Sequence, residues 1–218
     1  NGFLSEMLLA QGYATFAIGK WHLTLAGEYA SGASKARWPL SRGFERYYGF
    51  IGGKTSQWSP TLVHDSHYIP PPFTGDESYH LNADLADRAI EYLVDLRTVA
   101  PNKPFFMYYC LGAGHAPHQV EREWIERYRG KFDQGWDKWR EEVFARQLKS
   151  GIVPAGTKIA PRPEQVKAWD SLSAEAKKLY ARQMEVFAGF LSQTDHHIGR
   201  VIAHLATMGE LDNTIIML

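Results

Sequence analysis

Two short runs of β-forming residues, Tyr13 to Ile18 and Phe105 to Leu111, constrain this chain more than any other feature. Each is too short for a helix and is bounded by Gly or Pro, so each reads as a buried strand. Around them the apolar residues fall at helical spacing. Phe3, Leu4, Met7 and Leu8 predict an amphipathic helix stopped by Gly12. Leu85, Ala89, Leu93 and Leu96 predict a second, capped by Asn82 or Asp84. Phe187, Phe190, Leu191, Thr194, Ile198, Val201, Ile202 and Leu205 form the strongest stripe. Gly209 ends it, and Asp212-Asn213 makes a turn into a last strand. The order helix, strand, helix, strand, helix, strand is that of an α/β fold, with helices flanking a largely parallel sheet.

The remaining segments are less periodic. Residues 27 to 80 are rich in Gly, Pro, Ser and Tyr and read as a long, loop-rich excursion of the kind that often carries function. Its aromatic residues, between Trp38 and Phe73, suit a packed surface or pocket wall. Val120 to Arg129 and Gly135 to Lys149 read as charged surface helices, and Pro154, Pro161 and Pro163 mark another loop. Asp195 falls near the apolar face of the last helix, where a carboxylate needs a hydrogen-bonding partner.

Charge narrows the partners. Lys plus Arg and Asp plus Glu are both 24, so the chain lacks the basic excess of a general nucleic-acid or membrane-surface binder. A local cationic pocket stays open. The single cysteine, Cys110, forms no internal disulfide framework and no Cys-rich zinc site. No run reaches the roughly 18 apolar residues of a membrane span, and none has the pattern of a signal peptide. The chain starts without Met and stops on the apolar run Thr214 to Leu218, so both ends are expected to be cut from a longer protein. Compartment stays open between periplasm, cell exterior and cytoplasm.

The chemistry-bearing residues follow the two strands. Lys20-Trp21-His22 leaves the end of the first, and Gly112-Ala113-Gly114-His115-Ala116-Pro117-His118 leaves the end of the second. Open α/β sheets hold ligands outside those ends. Taken singly, Lys20 reads as a solvated lysine, His22 as a structural hydrogen-bonder, and His118 as a solvent-facing or helix-capping residue. Brought together, Lys20, His22 and His115 would make a cationic, proton-handling site suited to an anionic ester.

The stretch Gly12-Tyr13-Ala14-Thr15-Phe16-Ala17-Ile18-Gly19-Lys20-Trp21-His22-Leu23 resembles the second signature of the sulfatase family, G-Y-x-T-x-x-x-G-K-W-H-L. Arg42 to Phe50, Pro104 to Tyr109 leading into His115-Ala116-Pro117, and Asp195 to Leu205 with Gly209 and Asp212 to Thr214 resemble later family segments. Residues 128 to 163 resemble the bacterial arylsulfatase branch of this alkaline-phosphatase-like superfamily. The resemblance implies an alkaline-phosphatase/sulfatase-like α/β fold, incomplete here, with residues 1–218 as the central part of one catalytic domain. It implies that Lys20 contacts the sulfate and the nucleophile. His22 contacts the nucleophile and helps release sulfate, and His115 sits at the bridging oxygen of the substrate. It implies a formylglycine nucleophile upstream of Asn1, made by a formylglycine-generating system, and a calcium ion with ligands outside this chain. Cys110, followed by Leu111-Gly112-Ala113, does not match the family's C/S-x-P-x-R nucleophile motif.

The expected substrate is therefore a small sulfate ester. The rivals are a phosphatase or phosphonate monoester hydrolase of the same superfamily and a non-catalytic sulfatase-like binding protein. The 218-residue chain by itself is expected to show no turnover of p-nitrophenyl sulfate. Calcium-dependent release of p-nitrophenol above background would overturn that expectation.

Overall fold

A computed structural model describes residues 2–70, 72 and 79–218, so Phe73 lies outside the described residues. Two compact units are present, Asn1–Gln119 with Leu191–Leu218, and Val120–Phe190. The first holds a five-stranded sheet in the order β4-β3-β2-β1-β5. Its strands are β1 (Ala14–Lys20), β2 (Arg46–Phe50), β3 (Leu62–His64), β4 (His67–Ile69) and β5 (Phe105–Cys110). β1 runs parallel to both neighbours, β2 and β5, and the β3–β4 hairpin extends the sheet antiparallel beyond β2. The sheet is thus mixed, with a parallel centre where the two runs lie side by side.

β1 is buried along almost its whole length, as a strand covered on both faces must be. Phe16, Ile18, Tyr48 and Phe50 pack on one face against Leu85, Ala89 and Leu93 of α2 (Leu81–Val99) and against Val201 and Leu205. Ala17, Tyr47 and Val63 face the other way, under Trp21, Trp38 and Phe44. β5, read from the sequence as a buried strand, is only half covered, because β1 is its sole neighbour in the sheet.

Among the described residues, 27 to 80 hold three strands where a loop-rich excursion was expected. β2 is five residues long and contains Arg46 and Gly49, so it resembles its turn-rich surroundings. Its pairing partner is distant in sequence, and burial of Tyr47 and Tyr48 on opposite faces makes it a strand. α1 (Leu4–Ala10) forms, but Leu4 and Met7 lie outward and Ser5 is its buried residue. The Ser5 hydroxyl bonds to the Arg42 carbonyl, and Gly43 abuts the Glu6 backbone, so close backbone contact overrides the apolar stripe. The N-cap of α2 is His80, not Asn82 or Asp84. The His80 ring accepts from the Asn82 amide, while the Asn82 side chain donates to Gln193 and Thr194 at 2.8 and 2.9 Å.

The last helix, α5 (Ala174–Thr207), begins well before its apolar stripe and contributes residues to both units. From Gln193 onward its buried line runs Gln193, Thr194, His197, Val201, Leu205. Asp195 is one residue off that line and is exposed, so it needs no buried partner. Leu191 is exposed for the same geometric reason. Leu211–Asn213 forms a 3-10 turn, and Thr214 to Leu218 joins no sheet, with Leu218 fully exposed. A strand needs a neighbour to bond its backbone, and among the described residues that segment pairs with none of the five strands.

The second unit contains α3 (Arg122–Glu126), α4 (Gly135–Ser150) and the first half of α5. Trp136 and Trp169 meet edge to face at 4.8 Å, and Gly135 leaves room for the Trp169 ring. The buried Glu185 accepts from the Gly130 amide at 2.7 Å and from Arg182 at 2.6 Å, and Arg182 also bridges to Glu126.

His197 is expected to make the first unit acid-sensitive. Burial, with positive charge on Arg200, pushes its imidazole from 6.5 down to about 4, with His196, His80 and Asp87 also nearby. A depressed folded-state value means that His197 contributes stability above pH 6.5 that is lost as pH falls through about 4. His197→Gln is expected to flatten the fall of the urea midpoint across that window. An identical fall in both proteins would show that His197 does not carry it.

Candidate active site

The C-terminal edge of the parallel strands is where backbone approach is closest. A Cβ at Gly19 would lie 1.8 Å from the Cys110 carbonyl oxygen, and one at Gly49 would lie 2.0 Å from the Gly19 oxygen. Gly19 also has φ of +97°, a conformation that favours glycine. The buried Tyr47 hydroxyl donates to the Gly19 carbonyl at 3.0 Å. Two glycines thus let β1, β2 and β5 close together just before Lys20.

Past that point the chain keeps following β2. The Trp21 amide donates to Phe50 O and the His22 amide to Ile51 O, both at 3.0 Å. Trp21 turns inward, 4 % exposed, with its indole N–H on Arg37 O at 2.7 Å and its ring against Phe3 and Phe44. It is the anchor between two outer residues, a half-buried Lys20 and an exposed His22. His22 has φ of +55°, a strained setting for a residue with a side chain. Such strain persists where surrounding structure holds it.

The loop after β5 starts beside Lys20, because Gly19 and Cys110 are register partners. Gly112 packs against Phe50 and the Gln57 side chain, placing the loop's first turn over β2. Its far end is fastened by Gln119, whose side-chain oxygen accepts from Gln57 N at 2.8 Å and from Ser56 Oγ at 3.2 Å. The Gln119 carbonyl lies 3.0 Å from His80 Nε2. Between these ends His115 is exposed, with Nδ1 2.7 Å from Ala116 O. A carbonyl can only accept, so that contact puts the proton on Nδ1 and leaves Nε2 available to a ligand. His118 is exposed as well.

The structure therefore brings the Lys20–His22 turn and the His115 loop to one edge of one sheet. The seats beneath them, Gly53, Gln57 and Gln119, escaped sequence reasoning, although the doublet Gly52-Gly53, one residue past β2, was a visible signal. Cys110 sits beside this edge. Burial pushes its thiol up, against the opposing pull of the Tyr108 hydroxyl and the Lys20 charge, so it stays a protonated thiol near neutral pH.

Among the described residues no three His, Cys, Asp or Glu side chains group as a metal site would need. The set at the sheet edge is an ammonium and two imidazoles, which suits an oxyanion and not calcium, a hard cation that takes oxygen ligands. These residues do not fit a calcium site.

Gln119→Leu keeps the side chain's bulk and removes the acceptor, leaving the buried Gln57 amide unpaired at a cost of about 1–3 kcal/mol. Hydrogen exchange at the amides of residues 112–116 and 118 is expected to accelerate. Unchanged exchange there would show that Gln119 does not hold the loop.

The family model described as Sulfatase matches residues 2–218. An uncharacterized sulfatase of Schizosaccharomyces pombe is 33 % identical over 225 residues, covering 98 % of this chain and 39 % of the relative. The arylsulfatase of Klebsiella aerogenes is 27 % identical over 228 residues, covering 98 % of this chain and 45 % of the relative. The chain thus spans less than half the length of either. Among solved structures, Ps i-CgsB in complex with k-i-k-neocarrahexaose shares the fold with a TM-score of 0.59 at 20 % identity, covering 97 % of this chain and 38 % of that one. BT4656 in complex with its substrate D-glucosamine-2-N,6-O-disulfate gives 0.55 at 19 %, covering 96 % and 47 %.

Proposed function

Because the chain belongs to the sulfatase family, we propose that the complete protein hydrolyses sulfate esters, with Lys20, His22 and His115 among its reacting groups. The observation that carries this reading is the placement of a half-buried lysine at the end of the central parallel strand, beside the start of the His115 loop. A sulfate ester carries one negative charge, and charge builds on its bridging oxygen as the S–O bond breaks. Lys20 supplies a fixed positive charge for the sulfate oxygens. His115, held at Nδ1 by the Ala116 carbonyl, directs Nε2 outward, where its imidazolium form gives a proton to the departing alcohol oxygen. His22 stands on the other side of the buried Trp21 and acts on the sulfur side of the same ester.

The family resemblance adds a formylglycine nucleophile and a calcium ion. The described residues provide no seat for the metal, and Cys110 is neither in the nucleophile motif nor deprotonated. When bound, calcium would polarise the sulfate. Every step assigned to this chain is one of binding, orientation or proton transfer.

In the complete protein, Lys20→Ala is expected to lower kcat/KM for p-nitrophenyl sulfate by about 100-fold or more, the scale of losing one charge-stabilising group. His115→Ala should cost an alkyl sulfate far more than p-nitrophenyl sulfate, since p-nitrophenolate departs with little help from an acid. Circular dichroism of both variants should match wild type. Wild-type rates in a variant would remove that residue from the site, and faster turnover of p-nitrophenyl phosphate would move the protein to the phosphatase reading.

A further inference from the structure

The turn that follows β2 contains two adjacent glycines with different surroundings. A Cβ built on Gly52 would have its nearest neighbours at 3.7 Å, the Lys54 carbonyl oxygen, and 3.9 Å, a Tyr29 ring carbon. These are ordinary contacts. A Cβ built on Gly53 would lie 2.6 Å from Cε1, 2.7 Å from Nε2 and 3.1 Å from Nδ1 of His22. Its three nearest atoms all belong to that one imidazole. Neither glycine is among those with positive φ, so an alanine at either position meets no backbone penalty. Space alone separates the two, and at Gly53 the space is filled by the His22 ring.

His22 is otherwise exposed, and exposed histidines usually sample several rotamers. Here the His22 backbone is tied down and one side of its ring rests on Gly53. Its amide is tied to the Ile51 carbonyl, and its ring lies flat enough on Gly53 to exclude a methyl group. Both contacts come from the same short segment, Ile51 to Gly53. Its backbone φ of +55° belongs to the same arrangement.

We infer that Gly53 is a positioning residue for the reaction: it is the seat that fixes the direction of the His22 imidazole toward the bound ester. The inference rests on the reading of His22 as a reacting group, and it adds why a side chain at position 53 is incompatible with that role. Gly53 touches no substrate atom in this scheme and acts only through His22.

The test is a double-mutant cycle between positions 22 and 53, with Gly52→Ala as the control. Gly53→Ala should lower the thermal midpoint and shift the ring nitrogen signals of His22 in the 15N spectrum, assigned by their loss in His22→Ala. Gly52→Ala should do neither. In a His22→Ala background the clash is gone, so adding Gly53→Ala should not lower the midpoint further. Additive losses at the two positions would overturn the seat. In the complete protein Gly53→Ala should reduce kcat for p-nitrophenyl sulfate about 10- to 100-fold, the scale of misplacing a group by about 1 Å, with KM nearly unchanged. Full kcat in Gly53→Ala beside a crippled His22→Ala would overturn the positioning role. Full kcat in His22→Ala would instead sink the reading of His22 on which that role depends, while leaving the steric coupling measurable by temperature.

Discussion

The close approach of three backbones at Gly19 is the constraint on which the candidate site's edge depends. A β-carbon would bar a neighbouring carbonyl from coming this close, and at Gly19 and Gly49 there is none to do so. The carbonyl of one strand occupies the place a β-carbon would take on the next. Tyr47, whose hydroxyl reaches the Gly19 carbonyl, holds the arrangement from the far face. The exits of β1 and β5 are thereby set by backbone geometry, which is stiffer than any rotamer. Lys20 and the loop carrying His115 inherit their starting points from it.

Much of this was legible in the sequence, and the failures share a physical cause. β1, β5 and α2 announce themselves through local composition, because each is long enough to show its period or is dense in β-forming residues. β2 does not. Its five residues include Arg46 and Gly49, and what makes them a strand is partnership with β1, thirty residues away in the chain (Phe16 with Arg46). The capping role of His80 and the inward turn of Ser5 likewise depend on groups supplied from elsewhere in the fold. Thr214 to Leu218 shows the converse, a run of strand-forming residues that remains unpaired among the described residues. At the site, Lys20, His22 and His115 could be named from their position after two strands. Gly53 and Gln119 could not, since a glycine or glutamine carries no chemical signature until its neighbour is known.

Charge tells a similar story in two registers. The chain is neutral as a whole, and the charged stretch of the second unit is occupied with itself: Arg182 serves both Glu126 and Glu185, and Glu126 also meets Arg129. Such pairs contribute little individually to stability and leave little net field. At the sheet edge stand a lysine and two histidines, and among the described residues no three His, Cys, Asp or Glu side chains group as metal ligands. A neutral composition therefore coexists with a lysine charge placed at the end of the central strand.

His80 has a consequence beyond capping a helix. Its Nδ1 takes the Asn82 amide and its Nε2 meets the Gln119 carbonyl, so both nitrogens are engaged and the ring's tautomer is decided by its partners. Asn82 is in turn bonded to Gln193 and Thr194 on α5. A continuous line of directional bonds thus runs from the last helix, through one two-ended imidazole, to the foot of the loop that bears His115. Apolar packing would let those elements slide past one another by fractions of a turn. This line does not, and it gives the loop a fixed datum deep in the protein, much as a surveyor's mark on bedrock serves a structure built on softer ground.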